Sequence, residues 1–447
     1  MTLQGIKGPS YRFIHGNSKE ISSMQKEAMS RPKSLSHDIF SYVQPHFYLW
    51  NNTYGKKFLQ WHGSQAQLVI TEPELCKEVL NNKYRTFVKT DIPIFIKKLL
   101  GDGLVTTEGE KWGRLRKLAN SAFHGESLKS LIPATIASTE LMLESSYSEG
   151  KSIFDMLMKL SFLTFKNAFK ARIPIISNIF KTSDDIEAEN LEKGVRDSIL
   201  EMVKKREQKA MTMSKEEKSF GSDFLGLLMK AHHDVDVNQR ITEDDLVDEC
   251  KTFYFAGQET ANSLLAWTVF LLAFNTDWQE EERTEVLQLF GKQTPNPDGI
   301  SKLKTMGMII NESLRLYPPV VSIERKVARE VRLGKLFVPA DLEILIPALA
   351  LQHDPKFWGQ EAELFKPERF SEGVAKATNN NMVTFLPFGM GPRNCVGYNF
   401  AITEAKIALA MILQRHSFTL SPSYVHSPFR VLTVRPQHGV QVMLHSL

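Results

Sequence analysis

The sequence predicts a mostly α-helical protein with a few small β-sheets, an α+β fold. Apolar residues recur at helical spacing over residues 303–317, on one face of a predicted helix. Residues 320–350 instead form alternating, β-branched-rich segments with a turn at Gly334, which is the pattern of strands. The chain has 447 residues and 42% hydrophobic content, enough for one large globular unit, so we predict a single domain over residues 1–447.

The N-terminal part of the chain is predicted to combine helices with one hairpin. Residues 36–50 indicate a helix, and residues 47–70 indicate a β-hairpin with turn points at Gly55 and Gly63. Pro73 lies in the first turn of the next predicted helix, a position that proline tolerates because its missing N–H would have no helical partner there.

Longer helices follow. A helix is predicted over residues 108–124, and residues 182–234 are charged and helical except for a polar loop near 209–222. A long helix is predicted over residues 242–275, with Thr242 as its N-cap.

The C-terminal third contains a mixture of elements. Thr276 and Asp277 are predicted to cap a helix, and the Pro- and Asn-rich residues 294–299 indicate a loop. A helix is predicted to begin at Cys395, and residues 416–446 are predicted to form strands.

Charge and hydropathy exclude two classes of protein. The net charge is +4, and the basic residues are dispersed, so the sequence does not indicate nucleic-acid binding. This charge is compatible with a face that contacts an anionic membrane or an acidic redox partner. The most apolar segment, residues 261–274, is shorter than the ~20 residues that span a bilayer and is predicted to be a buried helix.

The cysteines do not indicate a disulfide framework. The three cysteines are Cys76, Cys250 and Cys395, an odd and sparse set that favours a reducing compartment. Cys76 and Cys250 lie in amphipathic helical contexts and are interpreted as small core residues.

Cys395 lies in a different context, a glycine-rich loop. Gly391 and Gly397 would allow the backbone to approach a large flat group, because they carry no Cβ atoms. A helix beginning at the cysteine would favour the thiolate, and Arg393 could pair with a carboxylate through two hydrogen bonds. These features indicate a haem whose iron is bound by Cys395. Alone, Cys395 would be interpreted as a buried structural cysteine, and Arg393 as a surface arginine.

The long helix carries an acid–alcohol pair beside a glycine. A mid-helix glycine such as Gly257 costs about 1 kcal/mol relative to alanine, which is easier to explain if a group packs on the bare backbone. Glu259 and Thr260 follow, and such a pair could deliver protons during oxygen activation. Considered alone, these residues favour plain helix packing over a role in proton delivery.

Two further pairs lie at helical spacing. Glu312 and Arg315 share a helix face, as either an exposed ion pair or a buried pair that needs a further partner, which Arg369 offers. Trp112 and Arg116 form either a second carboxylate clamp or part of an amphipathic basic helix.

Together these motifs resemble those of the cytochrome P-450 family of haem-thiolate monooxygenases. The cysteine loop fits the family pattern Phe-x-x-Gly-x-Arg-x-Cys-x-Gly at five positions: Phe388, Gly391, Arg393, Cys395 and Gly397. The resemblance covers almost the whole chain and is most similar to the plant clan numbered seventy-two, whose members act on terpenoids, hormones and other lipophilic metabolites.

The other motifs fit the same family. Glu312 and Arg315 match its Glu-x-x-Arg helix, and Arg369 matches the arginine that completes this ion-pair triad. Trp112 and Arg116 match its Trp-x-x-x-Arg contacts to a haem propionate.

The distal residues also fit. The oxygen-activation segment of the family matches this chain at Ala256, Gly257, Glu259 and Thr260. The resemblance implies that Glu259 and Thr260 relay protons to the bound oxygen. Arg325 resembles another propionate-binding arginine.

The resemblance implies a cofactor, partners and a location. These are haem b with Cys395 as its iron ligand, O2, an NADPH-dependent flavoprotein reductase and a hydrophobic small-molecule substrate. The implied location is the cytoplasmic face of the endoplasmic reticulum membrane. Substrate would contact four variable segments, residues 92–104, 253–256, 320–323 and 428–432.

Two departures from the family pattern are evident. The N-terminal membrane anchor expected of the plant family is not found, although the apolar residues 173–180 could contact a membrane surface. About two helices, on the order of 30 residues, are also predicted to be missing near Glu144 and Ser145.

Two alternatives to a monooxygenase stay open at this point. One is a haem-thiolate isomerase or dehydratase that acts on hydroperoxides, which the Glu259–Thr260 pair argues against. The other is a catalytically incompetent variant, in which the missing helices prevent haem binding.

Overall fold

The computed structural model describes residues 1, 4–31, 34–82, 85–144, 156, 158, 183–212, 220–236 and 240–447. These residues form two compact units, Met1–Thr90 with Glu259–Leu447 and Asp91–Gln258. The single domain over residues 1–447 stays a prediction. The apolar residues 173–180 and residues 213–219 of the polar loop predicted near 209–222 lie outside the described residues, whereas residues 209–212 are helical rather than part of a loop.

Helices dominate both units. The second unit contains α5 (Ile94–Leu100), α6 (Gly109–Ala122), α7 (Gly125–Glu144), α8 (Ser183–Thr212), α9 (Phe224–His232) and the first half of α10 (Glu243–Phe274). The first unit begins with α1 (Ser18–Ser30), α2 (Phe40–Val43), α3 (Pro45–Tyr54) and α4 (Pro73–Asn81). After α10 it continues with α11 (Thr276–Phe290), α12 (Pro297–Lys302), α13 (Lys304–Leu316), α14 (Ala348–Gln352), α15 (Pro355–Trp358), α16 (Val374–Ala377) and α17 (Tyr398–Arg415).

Among the residues that the structure describes, the strands all belong to the first unit. The largest sheet has the order β1-β2-β7-β4-β3, from β1 (Lys57–His62), β2 (Gln65–Ile70), β3 (Phe87–Val88), β4 (Ile323–Val327) and β7 (Glu343–Ile346). Its strands are antiparallel except β2 and β7, which are parallel. Three antiparallel pairs complete the set: β5 (Val331–Leu333) with β6 (Leu336–Val338), β8 (His416–Leu420) with β11 (Val442–Ser446), and β9 (Pro428–Arg430) with β10 (Val434–Pro436). The predicted combination of mostly helix with small sheets is confirmed.

The core of the first unit forms where β2, β7 and α4 meet. Leu68, Val79 and Ile344 are fully buried there, together with Cys76, which is 0% exposed. Burial raises the pKa of the Cys76 thiol well above its usual range, so this cysteine is a core residue as predicted.

Several predicted boundaries agree with the structure for the expected reasons. Thr242 Oγ1 accepts the N–H of Asp245 and Asp245 Oδ2 accepts the N–H of Thr242, both at 3.0 Å, which is a reciprocal cap at the start of α10. Helix α13 buries Met306, Ile310 and Leu314, the apolar face that the spacing predicts.

The prediction for residues 36–70 was partly wrong. Pro45 begins a second helix immediately after α2, because proline fits the first turn of a helix but cannot continue one. Helix α3 then runs to Tyr54, and Gly55 ends it with a φ of +90° instead of forming a hairpin turn. The hairpin itself begins at Lys57 and turns at Gly63.

Three boundaries in the C-terminal third also differ. Asn275, rather than Thr276, occupies the N-cap position of α11. The segment predicted as a loop over residues 294–299 contains the start of α12, because the Asn296 side chain accepts the N–H of Gly299 and caps a helical turn. Helix α17 begins at Tyr398, three residues after Cys395.

Glu282 of α11 is a buried carboxylic acid. It is 0% exposed, and neither of its oxygens has a hydrogen-bond partner among the residues that the structure describes. Desolvation raises the pKa of Glu282 to about 8, so the folded protein favours the protonated acid.

We expect Glu282→Gln to remove a pH-dependent loss of stability. Because the folded pKa exceeds the unfolded value, the contribution of Glu282 is fully present below pH 4.5 and is lost as the pH rises through 8. The loss in the wild type is on the order of a few kcal/mol, and thermal unfolding of both proteins from pH 5 to pH 8.5 measures it. Glu281→Gln, an exposed neighbour, should leave the wild-type slope unchanged. Equal slopes in wild type and Glu282→Gln would contradict the assignment.

Candidate functional site

The cysteine loop packs tightly against the C-terminal end of α4. Gly391 has a φ of +74°, and a Cβ atom on it would lie 2.3 Å from the carbonyl oxygen of Leu80. No other residue fits this position without moving the backbone. The N–H of Cys395 donates to the carbonyl oxygen of Phe388 at 2.8 Å, which closes the loop.

The thiol of Cys395 differs from the other two. Cys76 and Cys250 are buried, and burial raises the pKa of Cys250 to about 12, whereas Cys395 is exposed. A Cβ atom on Gly397 would meet no atom within 4 Å, so open space lies beside this part of the loop. The exposed thiol and the side-chain-free surface fit a flat macrocycle bound through the sulfur.

The helix after the cysteine begins later than the sequence predicts. Helix α17 begins at Tyr398 with Gly397 at its N-cap position, and Gly391–Arg393 form a separate 3₁₀ turn. The amide groups of the first turn of α17 therefore begin beyond Cys395, and the effect of the helix dipole on the thiolate is weaker than that of a helix beginning at the cysteine. Phe388 packs edge-to-face on Tyr398, with ring centroids 4.7 Å apart, and connects the loop to this helix.

Glu259 of α10 is held by the C-terminal strands of the same unit. It is 7% exposed, and its Oε1 accepts a hydrogen bond from Thr433 Oγ1 at 2.7 Å. Arg435 Nη1 lies 3.7 Å from the same oxygen. Thr260, the next residue, is half-buried.

The same face of α10 continues to bind β10. Ser263 and Trp267 follow Glu259 at intervals of four residues, and both donate to the carbonyl oxygen of Val434, at 2.5 and 2.8 Å. Residues 433–435 are therefore attached to α10 at three successive helical turns. Thr433 and Arg435 were not predicted, since nothing in the sequence indicates which strand faces Glu259.

The structure brings Glu312, Arg315 and Arg369 together. Arg315 donates to both oxygens of Glu312, at 2.7 and 2.8 Å, and both residues are 0% exposed. Arg369 Nε lies 3.5 Å from Glu312 Oε1, and the N–H of Lys366 donates to the same oxygen at 3.0 Å. The pair is thus buried and has the further partner that burial requires.

Gln352 completes this cluster and was missed by sequence reasoning. Its amide nitrogen donates to the carbonyl oxygens of Leu314 and Arg315, at 2.9 and 3.0 Å, and its Oε1 accepts the N–H of Leu386 at 3.1 Å. The fully buried side chain thus connects α13 to the segment that enters the cysteine loop. The residues around Gln352 in the sequence carry no signal for this role.

The other predicted site residues are placed as follows. In the second unit, Trp112 and Arg116 are half-buried on α6, and Arg116 Nε donates to Asn120 Oδ1 at 3.1 Å. Ala256 is half-buried and Gly257 is exposed, with no atom within 4 Å of its missing Cβ. In the first unit, Arg325 is half-buried on β4 opposite Ile344 of β7.

An exposed thiol on a glycine-flanked loop is the arrangement expected of a haem-thiolate protein, and comparison with known proteins identifies the family. The chain matches the family Cytochrome P450 over residues 42–171 and 146–442. It therefore belongs to the cytochrome P450 family, whose members bind haem b and act as monooxygenases.

Three proteins that are similar to this chain come from plants. The chain is 56% identical to cytochrome P450 CYP749A22 of Panax ginseng, over 99% of this chain and 90% of the relative. It is 39% identical to 11-oxo-beta-amyrin 30-oxidase of Glycyrrhiza uralensis, over 100% and 92% of the two chains. It is 38% identical to 7-deoxyloganic acid hydroxylase of Catharanthus roseus, over 99% and 92%. These similarities confirm a relationship to plant P450s that include the predicted clan.

The alignment with the ginseng relative supports an internal shortening. It spans 475 positions, whereas the present chain has 447 residues, so at least 28 positions of the relative have no counterpart here. The family match is also divided into two segments that overlap over residues 146–171, next to Glu144 and Ser145. Both findings agree with the predicted loss of about 30 residues, and the position near Glu144 stays a prediction. Among the described helices, none is long and apolar enough to cross a membrane.

We expect Glu312→Gln to destabilise the protein strongly. The substitution leaves the fully buried guanidinium of Arg315 without its carboxylate, a change that typically costs about 3–5 kcal/mol. Thermal unfolding and the haem content of purified protein measure the effect.

A second variant separates the loss of charge balance from the loss of packing. In Glu312→Gln combined with Arg315→Met neither of the two fully buried charges remains, and Arg369 keeps its hydrogen bonds to the carbonyl oxygens of Trp358 and Glu361, so much of the stability should return. A double variant as unstable as the sum of both single variants would contradict the charge-pair explanation.

Proposed function

We propose that the chain is a monooxygenase that inserts one oxygen atom of O2 into a hydrophobic plant metabolite, a terpenoid, hormone or similar small molecule. The observation that carries this proposal is the exposed Cys395 thiol on a loop that Gly391 fixes against α4. The names of two relatives, an amyrin oxidase and a deoxyloganic acid hydroxylase, support a terpenoid substrate. Electrons would come from NADPH through a flavoprotein reductase.

The loop residues have complementary roles in this proposal. Cys395 would bind the iron, Arg393 would pair with a propionate, and Gly391 and Gly397 would let the backbone approach the porphyrin. Arg325 would be a second propionate partner. Haem supplies the activation of O2 when bound, and a thiolate ligand favours cleavage of the O–O bond. The propionate contacts of Trp112 and Arg116, and the roles of Ala256 and Gly257, stay predictions.

Glu259 and Thr260 would supply protons in this reaction. The hydrogen bond from Thr433 Oγ1 fixes the position of Glu259 Oε1, and the guanidinium of Arg435 lies 3.7 Å from the same oxygen. Thr260 is the next residue of the helix, and its hydroxyl would pass a proton on. Thr433 is therefore a positioning residue for Glu259 in our proposal.

One exposed apolar side chain in a predicted substrate segment is compatible with a hydrophobic substrate. Val320 is 43% exposed, and Val321 and Ile323 beside it are buried and half-buried. The small basic excess of +4 is compatible with an acidic reductase and an anionic membrane, and we propose the cytoplasmic face of the endoplasmic reticulum as the location.

We expect the reduced, CO-bound protein to show the Soret band of a haem-thiolate centre. Replacing Cys395 with alanine should abolish this band, because the iron would lose its sulfur ligand. Cys250→Ala is the matched control, since Cys250 is buried in the second unit, and its band should equal that of the wild type. Survival of the band in Cys395→Ala would refute the ligand assignment.

The same preparation tests the proposed reaction. Incubation with NADPH, reductase and a panel of plant terpenoids should yield oxygenated products. Absence of any haem absorption would instead favour the incompetent variant, an outcome that the internal shortening of at least 28 positions makes worth testing. Turnover of a fatty-acid hydroperoxide without reductase would favour an isomerase or dehydratase.

We expect Thr433→Val to lower product formation per NADPH consumed by about 3- to 10-fold, the loss expected of one hydrogen bond of about 1 kcal/mol. Thr433→Ser keeps the hydroxyl and should behave as the wild type. Substrate affinity should not change, because Thr433 acts on Glu259 and not on the substrate in this proposal. Equal coupling in both variants would show that the hydroxyl does not position the acid.

A further inference from the structure

The loop of residues 101–107 lies directly on one face of α10 within the second unit. Gly101 has a φ of +71°, and a Cβ atom on it would lie 2.2 Å from Asp248 Oδ1. A Cβ atom on Gly103 would lie 2.6 Å from Thr252 Oγ1 and 2.8 Å from Glu249 Oε1. The two glycines therefore permit a contact between loop backbone and helix side chains that no larger residue allows.

Three side chains of α10 tie the loop backbone to the helix. Asp248 Oδ2 accepts the N–H of Asp102 at 2.8 Å, and Glu249 Oε1 accepts the N–H of Leu104. Thr252 Oγ1 donates to the carbonyl oxygen of Leu100 at 2.9 Å. These bonds hold a segment that overlaps residues 92–104, a predicted substrate contact.

Glu249 is the unusual member of this group. It is 0% exposed, and its second oxygen, Oε2, has no hydrogen-bond partner within the part of the chain that the structure describes. A buried carboxylate with one free oxygen is costly, whereas the protonated acid carries no charge to desolvate. Desolvation accordingly raises the pKa of Glu249 to about 7.

Charged groups from each neighbouring element face Glu249. Asp245 and Asp248 on its own helix favour the protonated form, and Lys111 of α6 favours the carboxylate. Lys111 is already shared between Asp102 of the loop, at 2.9 Å, and Asp245, at 2.5 Å.

Two further titratable groups follow Glu249 directly in the sequence, the thiol of Cys250 and the ammonium group of Lys251. Cys250 is buried, and desolvation together with the charge of Glu249 raises the pKa of its thiol. Lys251 Nζ lies 3.7 Å from Asp248 and 3.5 Å from Glu192 of α8. The positive charges around Glu249 thus have other carboxylate partners.

We propose that Glu249 is a positioning residue that holds the loop of residues 101–107 on α10, and that its protonation tightens this attachment. The link from this loop to catalysis rests on the proposed function, in which the loop contacts the substrate. The attachment itself does not depend on the reaction.

The direction of the pH effect follows from linkage. In an opened loop the Glu249 side chain would be hydrated and would titrate near the ordinary glutamate pKa of 4.5, against about 7 in the closed loop. The closed loop therefore favours the proton, so its population is highest at low pH and falls as the pH rises through 7. Between pH 5.5 and pH 8 the ratio of closed to open loop should fall on the order of 10-fold.

Hydrogen–deuterium exchange of the purified full chain tests the proposal without substrate. In the wild type, the protection of a peptide containing Leu104, corrected for the intrinsic exchange rate at each pH, should fall on the order of 10-fold from pH 5.5 to pH 8. In Glu249→Gln, which keeps an oxygen for the Leu104 N–H but cannot ionise, protection should stay high at every pH. A peptide from α13 serves as the internal reference and should show constant protection.

Asp248→Asn is the matched control. It keeps an oxygen for the Asp102 N–H and leaves Glu249 free to titrate, so the pH dependence should persist with a lower midpoint because a neighbouring negative charge is gone. A pH-independent wild type, or a Glu249→Gln profile that coincides with the wild-type profile, would overturn the proposal. Either result would leave the proposed oxygenase activity untouched, since that activity is judged by the CO-bound spectrum and by product formation.

Discussion

The architecture around the cysteine loop depends on the burial of the Glu312–Arg315 pair. Neither side chain has any exposed surface, so each charge requires the other, and the remaining hydrogen-bonding groups require partners from elsewhere in the fold. Arg315 Nη1 donates to the carbonyl oxygen of Gln352 at 3.0 Å, and the Gln352 amide group bonds back to α13 and forward to Leu386. One buried charge pair thereby fixes the positions of three chain segments that are distant in sequence.

The cysteine loop uses this support in a specific way. Leu386, held by Gln352, lies two residues before Phe388, whose carbonyl oxygen accepts the Cys395 N–H. At the other end, Gly391 rests on the backbone of Leu80, where any side chain would collide with a carbonyl oxygen. The thiol is thus presented on a backbone fixed from two sides, as expected of a residue that must hold a metal ion at a defined position.

Buried carboxylates in α10 and α11 show how the environment sets the charge of one residue type. Glu259 has a hydroxyl donor at 2.7 Å and a guanidinium nitrogen at 3.7 Å, both at its Oε1. Glu249 has one backbone donor and acidic neighbours, and Glu282 has no hydrogen-bond partner among the described residues, so desolvation raises the pKa of both. The three acids therefore differ in their polar partners, and desolvation acts on the two acids that have the fewest.

The sequence by itself determined the family, the cysteine loop and most elements with a strong periodic pattern. These depend on local spacing, as in the apolar face of α13, the reciprocal cap at Thr242 and the glycines around Cys395. Helix boundaries near Pro45 and Tyr398 were misplaced, because a turn of helix and a turn of loop have similar patterns over a few residues. Tertiary structure alone decided that Gln352 connects α13 to Leu386 and that Thr433 donates a hydrogen bond to Glu259. It also decided that Glu249 accepts a hydrogen bond from the N–H of Leu104. Each of these contacts joins residues more than 30 positions apart, and the sequence near a polar side chain does not show which distant backbone group it will meet.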